Sequence, residues 1–199
     1  MAAMTVTSAP MTKEELKAEL EKTFPDLLPA KASVGDYLTL RLPDSAKLLP
    51  VVRHLKDKLG FDYLDMVNAT DWLGPVSLAG FIREPNFNIF LPEGANPQAE
   101  PPAKTAGVDY RDAIELSWCL SNLARRIKLF LKLDVPRAGG KAPSLISLYK
   151  AADWQERELF DLYGVRFDGH PNMTKILTPD FTVGHPLLKD YIHQKDRFD

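Results

Sequence analysis

The stretch IELSWCLSNLARRIKLFLKLDVP, residues 114–136, alternates in hydropathy along almost its whole length. Ile114, Leu116, Trp118 and Leu120 interleave with Glu115, Ser117, Cys119 and Ser121. After a turn near Asn122, Ile127, Leu129, Leu131, Leu133 and Val135 interleave with Arg126, Lys128, Phe130, Lys132 and Asp134. A period of two puts each set on its own face of a strand, and two strands joined this closely pair antiparallel. Pro136 ends the second strand. The Gly139–Gly140 pair that follows stands without a nucleotide-binding fingerprint and reads as a turn.

Upstream, Leu38, Leu40 and Leu42 alternate with Tyr37, Thr39 and Arg41, which predicts a half-buried strand over Val34–Leu42. A helix is expected from Pro50, presenting Val51, Val52, Leu55 and Leu59 until Gly60 closes it, with His54 packed or solvated beside that face. Another strand fits Tyr63–Asn68. At the start, Thr12 and Glu15 form a capping box for a helix whose Leu16, Leu20 and Phe24 share a face before Pro25. Residues 74–109 form a proline-rich insertion with one short strand at Phe87, Ile89 and Leu91. Together these elements predict an α+β domain of two layers, a mixed and largely antiparallel sheet with helices on one side, spanning residues 1–163.

Downstream, Ser144–Tyr149 predicts a short helix or turn leading into WQERELFDLYG, residues 154–164. Asp153 and Glu156 have the spacing of a capping box, and Gly164 suits the left-handed closing position. Helical projection places Glu156 within the apolar stripe of Leu159, Phe160, Leu162 and Tyr163, with Arg157, Glu158 and Asp161 on the other side. No base stands one turn away, so an external basic partner is expected for Glu156. Arg157 with Asp161 reads as a surface pair, and Arg125, Arg126, Lys128, Lys132, Arg137 and Lys141 read as a solvated face. Residues 164–199 repeat Gly-His-Pro at 169–171 and 184–186 and are too apolar for a solvated tail, so they are expected to form an extended docking arm.

Composition narrows the function. Lysine plus arginine number 25 against 27 acids in 199 residues, a net charge of −2 that gives no general field for nucleic acid. Cys119 is the single cysteine, which excludes an internal disulfide and a cysteine-ligated cluster built from this chain alone. No apolar run reaches the roughly 20 residues of a membrane span, and neither a signal nor a transit peptide is recognised at the start. Glu156, Glu158, His170 and His185, with Asp190 or His193, are the residue types of a metal site or an acid–base pair. Their spacing lacks helical pairing, so each histidine is expected to hold its own turn through backbone hydrogen bonds.

ERELFDLYGVRFDGHP, then KIL and GHPLLKDY, resembles the signature of the 30 kDa-type subunit family of the proton-pumping NADH-quinone oxidoreductase, respiratory complex I. Thr174 and Leu188 stand where that family usually has a basic residue, and Ile192 where proline often follows the aromatic. The resemblance implies a cofactor-free component of the hydrophilic arm, peripheral on the cytoplasmic side of the membrane. FMN and iron–sulfur clusters would then belong to partners. The implied neighbours are the quinone-site subunit and the small iron–sulfur subunit, with the ferredoxin-like subunit nearby. By resemblance the partner-facing residues are Glu156, Arg157, Glu158, His170, Lys175, His185, Lys189, Asp190 and Tyr191. Two alternatives are the equivalent component of a membrane-bound hydrogenase and a free-standing metal- or acid/base-dependent enzyme using His170 and His185.

Overall fold

The computed structural model describes residues 10–32, 35–76 and 103–191. Its elements in chain order are α1 (Lys13–Thr23), β1 (Leu28–Pro29), β2 (Leu38–Arg41), a 3-10 turn (Ser45–Lys47) and α2 (Leu48–Leu59). There follow β3 (Tyr63–Asp71), β4 (Ala113–Asn122), β5 (Ile127–Pro136), β6 (Lys141–Pro143), α3 (Ala152–Tyr163) and β7 (Arg166–Asp168). The main sheet runs β1-β2-β5-β4-β3, with β2 parallel to β5 and the other pairs antiparallel. An α+β fold with a mixed sheet is therefore what the chain adopts.

The hairpin pairs Leu116 with Leu133 and Trp118 with Leu131, so one face of β4 and β5 is continuously apolar. Leu38 and Leu40 of β2 and Leu64, Val67 and Ala69 of β3 continue that face. Leu16 and Leu20 of α1 and Val51, Val52 and Leu55 of α2 complete the same buried cluster. The opposite face is mixed. Tyr37, Tyr63 and Met66 are exposed there, whereas Glu115 and Lys132 are buried in an ion pair of 3.0 Å. The solvated-face reading thus fails for Lys132, whereas Lys128 stays 41% exposed while pairing with Asp65 at 2.5 Å. A bulge between Leu64 and Met66 turns Asp65 toward Lys128 and Ser121.

Helix α1 has the expected capping box, and Gly60 and Gly164 close α2 and α3 with φ of 72° and 76°. Helix α2 starts at Leu48 rather than Pro50, because Asp44 caps the 3-10 turn that runs directly into it. Pro50 is tolerated within the first turn, where backbone N–H groups have no helical acceptor. Strand β3 continues past Asn68 to Asp71. Val34, the expected start of β2, and the strand expected at Phe87, Ile89 and Leu91 lie outside the described residues.

Helix α3 lies against β3, which is the edge of the sheet. Gln155 Oε1 accepts from the Val67 backbone N–H at 2.5 Å. Asp153 does not cap α3. The helix begins at Ala152, and the preceding turn supplies acceptors through Tyr149 O to Ala152 N and Lys150 O to Asp153 N.

Candidate assembly surface

Three buried carboxylates organise the end of the chain, and each is met by donors outside its own helix or strand. Glu156 has no exposed surface. Its Oε2 accepts from Ser144 Oγ at 2.5 Å and its Oε1 from Leu145 N at 2.7 Å. The expected basic partner is replaced by neutral donors from the turn before α3. Burial pushes the Glu156 carboxyl up to about 7, with the nearby Asp153 charge adding to it and the two hydrogen bonds opposing it.

Asp161, expected on the solvent side, is also fully buried. Its Oδ2 accepts from the backbone N–H groups of Ile176, Leu177 and Thr178 at 3.0, 2.7 and 2.8 Å, and its Oδ1 from Thr178 Oγ at 2.5 Å. Burial alone would raise its pKa. The Thr178 hydroxyl and the three amides outweigh that and hold it below the usual carboxylate range. Arg157 does not pair with Asp161 but donates to Thr174 O and Thr174 Oγ1, both at 3.2 Å.

Asp71 is the third. Arg137 grips it through two parallel hydrogen bonds of 2.9 and 3.0 Å, and Asp71 Oδ2 also accepts from Lys189 N at 2.8 Å. Arg137 further pairs with Asp190, so the end of the described chain is tied to the ends of β3 and β5.

The two Gly-His-Pro turns work through their imidazoles. His170 Nδ1 accepts from Asn172 N at 3.1 Å, which leaves the proton of the neutral ring on Nε2, 3.2 Å from Asp153 O. His185 Nδ1 lies 2.8 Å from Asp161 O and donates to it. The His185 ring sits so close to Gly164 that a Cβ there would fall 2.6 Å from Cδ2. Among the described residues no group of three histidine, cysteine or acidic side chains is placed to hold a metal ion. His193 is outside them.

Residues 164–191 thus lie on their own domain. Arg166–Asp168 forms β7 parallel to β6, a small second sheet, and Val165 and Phe167 are buried. Lys175 Nζ donates to Thr182 O at 2.5 Å, closing a loop within the segment. Its outward side is apolar: Leu177 is 60%, Phe181 66%, Val183 58% and Leu187 48% exposed, and Trp154 of α3 is 70% exposed. Monomeric proteins rarely leave so many large apolar side chains in one short segment uncovered. Of the expected partner-facing residues, Glu158, Lys189 and Asp190 are exposed, Arg157, Lys175, His170, His185 and Tyr191 are partly covered, and Glu156 is inside.

Sequence reasoning missed Asp161, Asp71 and Arg137. A signal existed for Asp71, since continuing the alternation of Val67 and Ala69 through β3 puts it on the core face. Helical projection contained no such signal for Asp161, whose partners are fifteen to seventeen residues away.

The family described as respiratory-chain NADH dehydrogenase, 30 kDa subunit, matches residues 43–197. The C-type subunit of the NADH-quinone oxidoreductase of Moorella thermoacetica is 33% identical over 173 residues, covering 87% of this chain and 90% of that one. The solved trypsin-resistant fragment of Nqo5 superposes with a TM-score of 0.54 at 20% identity, over 81% of this chain and 99% of the fragment. A component of the membrane-bound sulfane sulfur reductase, an archaeal respiratory membrane complex, gives 0.57 at 20% identity, over 84% and 77%. At that identity the two structures establish the fold alone. The sequence match spans most of the chain, including the segment that follows α3, and so this protein belongs to the 30 kDa subunit family of respiratory-chain NADH dehydrogenases.

Proposed function

We propose that the chain is a cofactor-free scaffold component in the hydrophilic arm of an NADH-quinone oxidoreductase. The assembly passes electrons from NADH through FMN and iron–sulfur clusters in other subunits to quinone, coupled to proton translocation. This chain contributes contacts, seated peripherally on the cytoplasmic side of the membrane against the quinone-site and small iron–sulfur subunits, with the ferredoxin-like subunit nearby. No helix among the described residues is long and apolar enough to cross a membrane, and the exposed apolar side chains of the arm support contact with protein neighbours.

One observation carries the reading. The arm is fastened inward by Asp161, His185 and Asp71, while Leu177, Phe181, Val183 and Leu187 stay exposed. Burying such side chains on association removes apolar area worth about 25 cal/mol per Å².

The test is to tag the chain at its N-terminus in its host, solubilise membranes gently, and identify the proteins that co-purify. Flavin, iron–sulfur and antiporter-like subunits are expected with the wild type. They are expected to be lost with Leu177→Glu plus Phe181→Glu, while the isolated variant keeps its circular dichroism. Recovery of hydrogenase subunits would instead identify the equivalent component of a hydrogenase. A chain that purifies alone from its host overturns the reading.

A further inference from the structure

Between Lys175 and Lys189, Asp180 is the only acidic or basic side chain apart from His185. It is exposed, and among the described residues it has no ion pair and its carboxylate accepts no hydrogen bond. Lys175, the nearest cation along the chain, is engaged elsewhere and donates to Thr182 O at 2.5 Å.

Thr182 N donates to Pro179 O at 3.0 Å, which closes a β-turn with Asp180 and Phe181 at its two central positions. Both ends of that turn are fixed. Asp161 holds the backbone N–H groups of Ile176, Leu177 and Thr178 on one side, and the Lys175 ammonium holds Thr182 on the other. Asp180 therefore goes wherever Phe181 goes. Phe181 is 66% exposed, with Leu177 and Val183 exposed before and after it in the chain.

Covering Phe181 takes water from its neighbour on the same tip. A carboxylate stripped of water without a cation costs more than the burial of one aromatic ring gains. The surface that covers this tip must then bring a positive charge of its own. An anionic lipid surface brings the wrong sign.

We propose that the turn at residues 179–182 is an anchor for a neighbouring protein, one whose apolar pocket takes Phe181 and whose rim carries a lysine or arginine that pairs with Asp180. The proposal rests on the assembly reading above and names the chemistry of the partner at this point. Because the turn is pinned before association, little ordering is left for the complex to impose on it.

The test uses the chain in its assembly. Tagged wild type, Asp180→Lys, Asp180→Asn and, as a control for net charge, Asp57→Lys on the exposed side of α2 are expressed in the host. The neighbouring subunits retained on the tag are measured as sodium chloride is raised. Asp180→Lys is expected to retain about tenfold less than wild type or lower still, Asp180→Asn an intermediate amount, and Asp57→Lys as much as wild type. The isolated variants are expected to melt with the wild type, since Asp180 has no partner within the described chain.

Retention of Asp180→Lys equal to that of wild type overturns the proposal and leaves the assembly reading intact. So does a loss of neighbours that Asp57→Lys reproduces or that a lower melting temperature accompanies. A wild-type chain that purifies alone overturns both. Flotation of the isolated chain with phosphatidylglycerol vesicles, abolished by Phe181→Glu, would assign the tip to lipid. A concentration-dependent dimer abolished by the same change would assign it to a second copy, and either result overturns the proposal.

Discussion

Arg137 meets Asp71 with both hydrogen bonds of a planar fork, at 2.9 and 3.0 Å, across 66 residues of sequence. The Asp71 side chain is fully buried and that of Arg137 is 12% exposed. Removing one partner strands the other's charge away from water. Arg137→Met is therefore expected to destabilise the chain by about 3 kcal/mol, and Asp71→Asn added to it to restore part of the loss. Urea denaturation of the two single variants and the double variant checks this. Additive losses would mean that the two residues act independently.

Glu156 gives stability a pH dependence of unusual sign for a carboxylate. Its pKa rises from an ordinary 4.5 to about 7, so between those values the folded chain holds a proton that the unfolded chain has released. Its contribution is complete below pH 4.5 and is lost as pH rises through 7. Relative to Glu156→Gln, the wild type is expected to lose about 3 kcal/mol between pH 4.5 and pH 8. Parallel stability–pH curves for the two proteins would contradict it.

Asp161 replaces water for three consecutive amides of the arm and one hydroxyl. Hydrogen bonds to a charged acceptor contribute more than neutral ones, so Asp161→Asn is expected to cost about 2–3 kcal/mol locally. Limited trypsin digestion reads this at Lys175 and Lys189. Both sites are expected to resist cleavage in the isolated wild-type chain and to open in the variant. Equal digestion of the two would show that the arm is held elsewhere.

How far the fold could be read depended on where the information lay. The hairpin was legible because ten residues of alternation on each side of a turn leave one arrangement, and α1 because Thr12 and Glu15 complete each other locally. Strands β6 and β7 have three residues each, too few to display a period. Glu156 was correctly placed inside, yet its donors came from Ser144 and Leu145 in the preceding turn rather than from a distant cation. The Asp153 cap failed for a related reason. The turn's own carbonyls already serve the first N–H groups, and Asp153 Oδ1 faces His170 Nε2 at 3.3 Å. Helical projection identifies the buried face but not which groups elsewhere in the chain meet it.

The bond from Val67 N to Gln155 has a consequence for the chain before assembly. An edge strand with free N–H groups is a template for another strand, and sheets that wait for partners are prone to adding copies of themselves. Here α3 covers the β3 edge, and the opposite edge is the two-residue β1, which ends in Pro29 and has no N–H to offer there. The middle of one rim and the end of the other are thus less open to strand addition, which favours a newly made chain that keeps its apolar arm uncovered without extending its sheet.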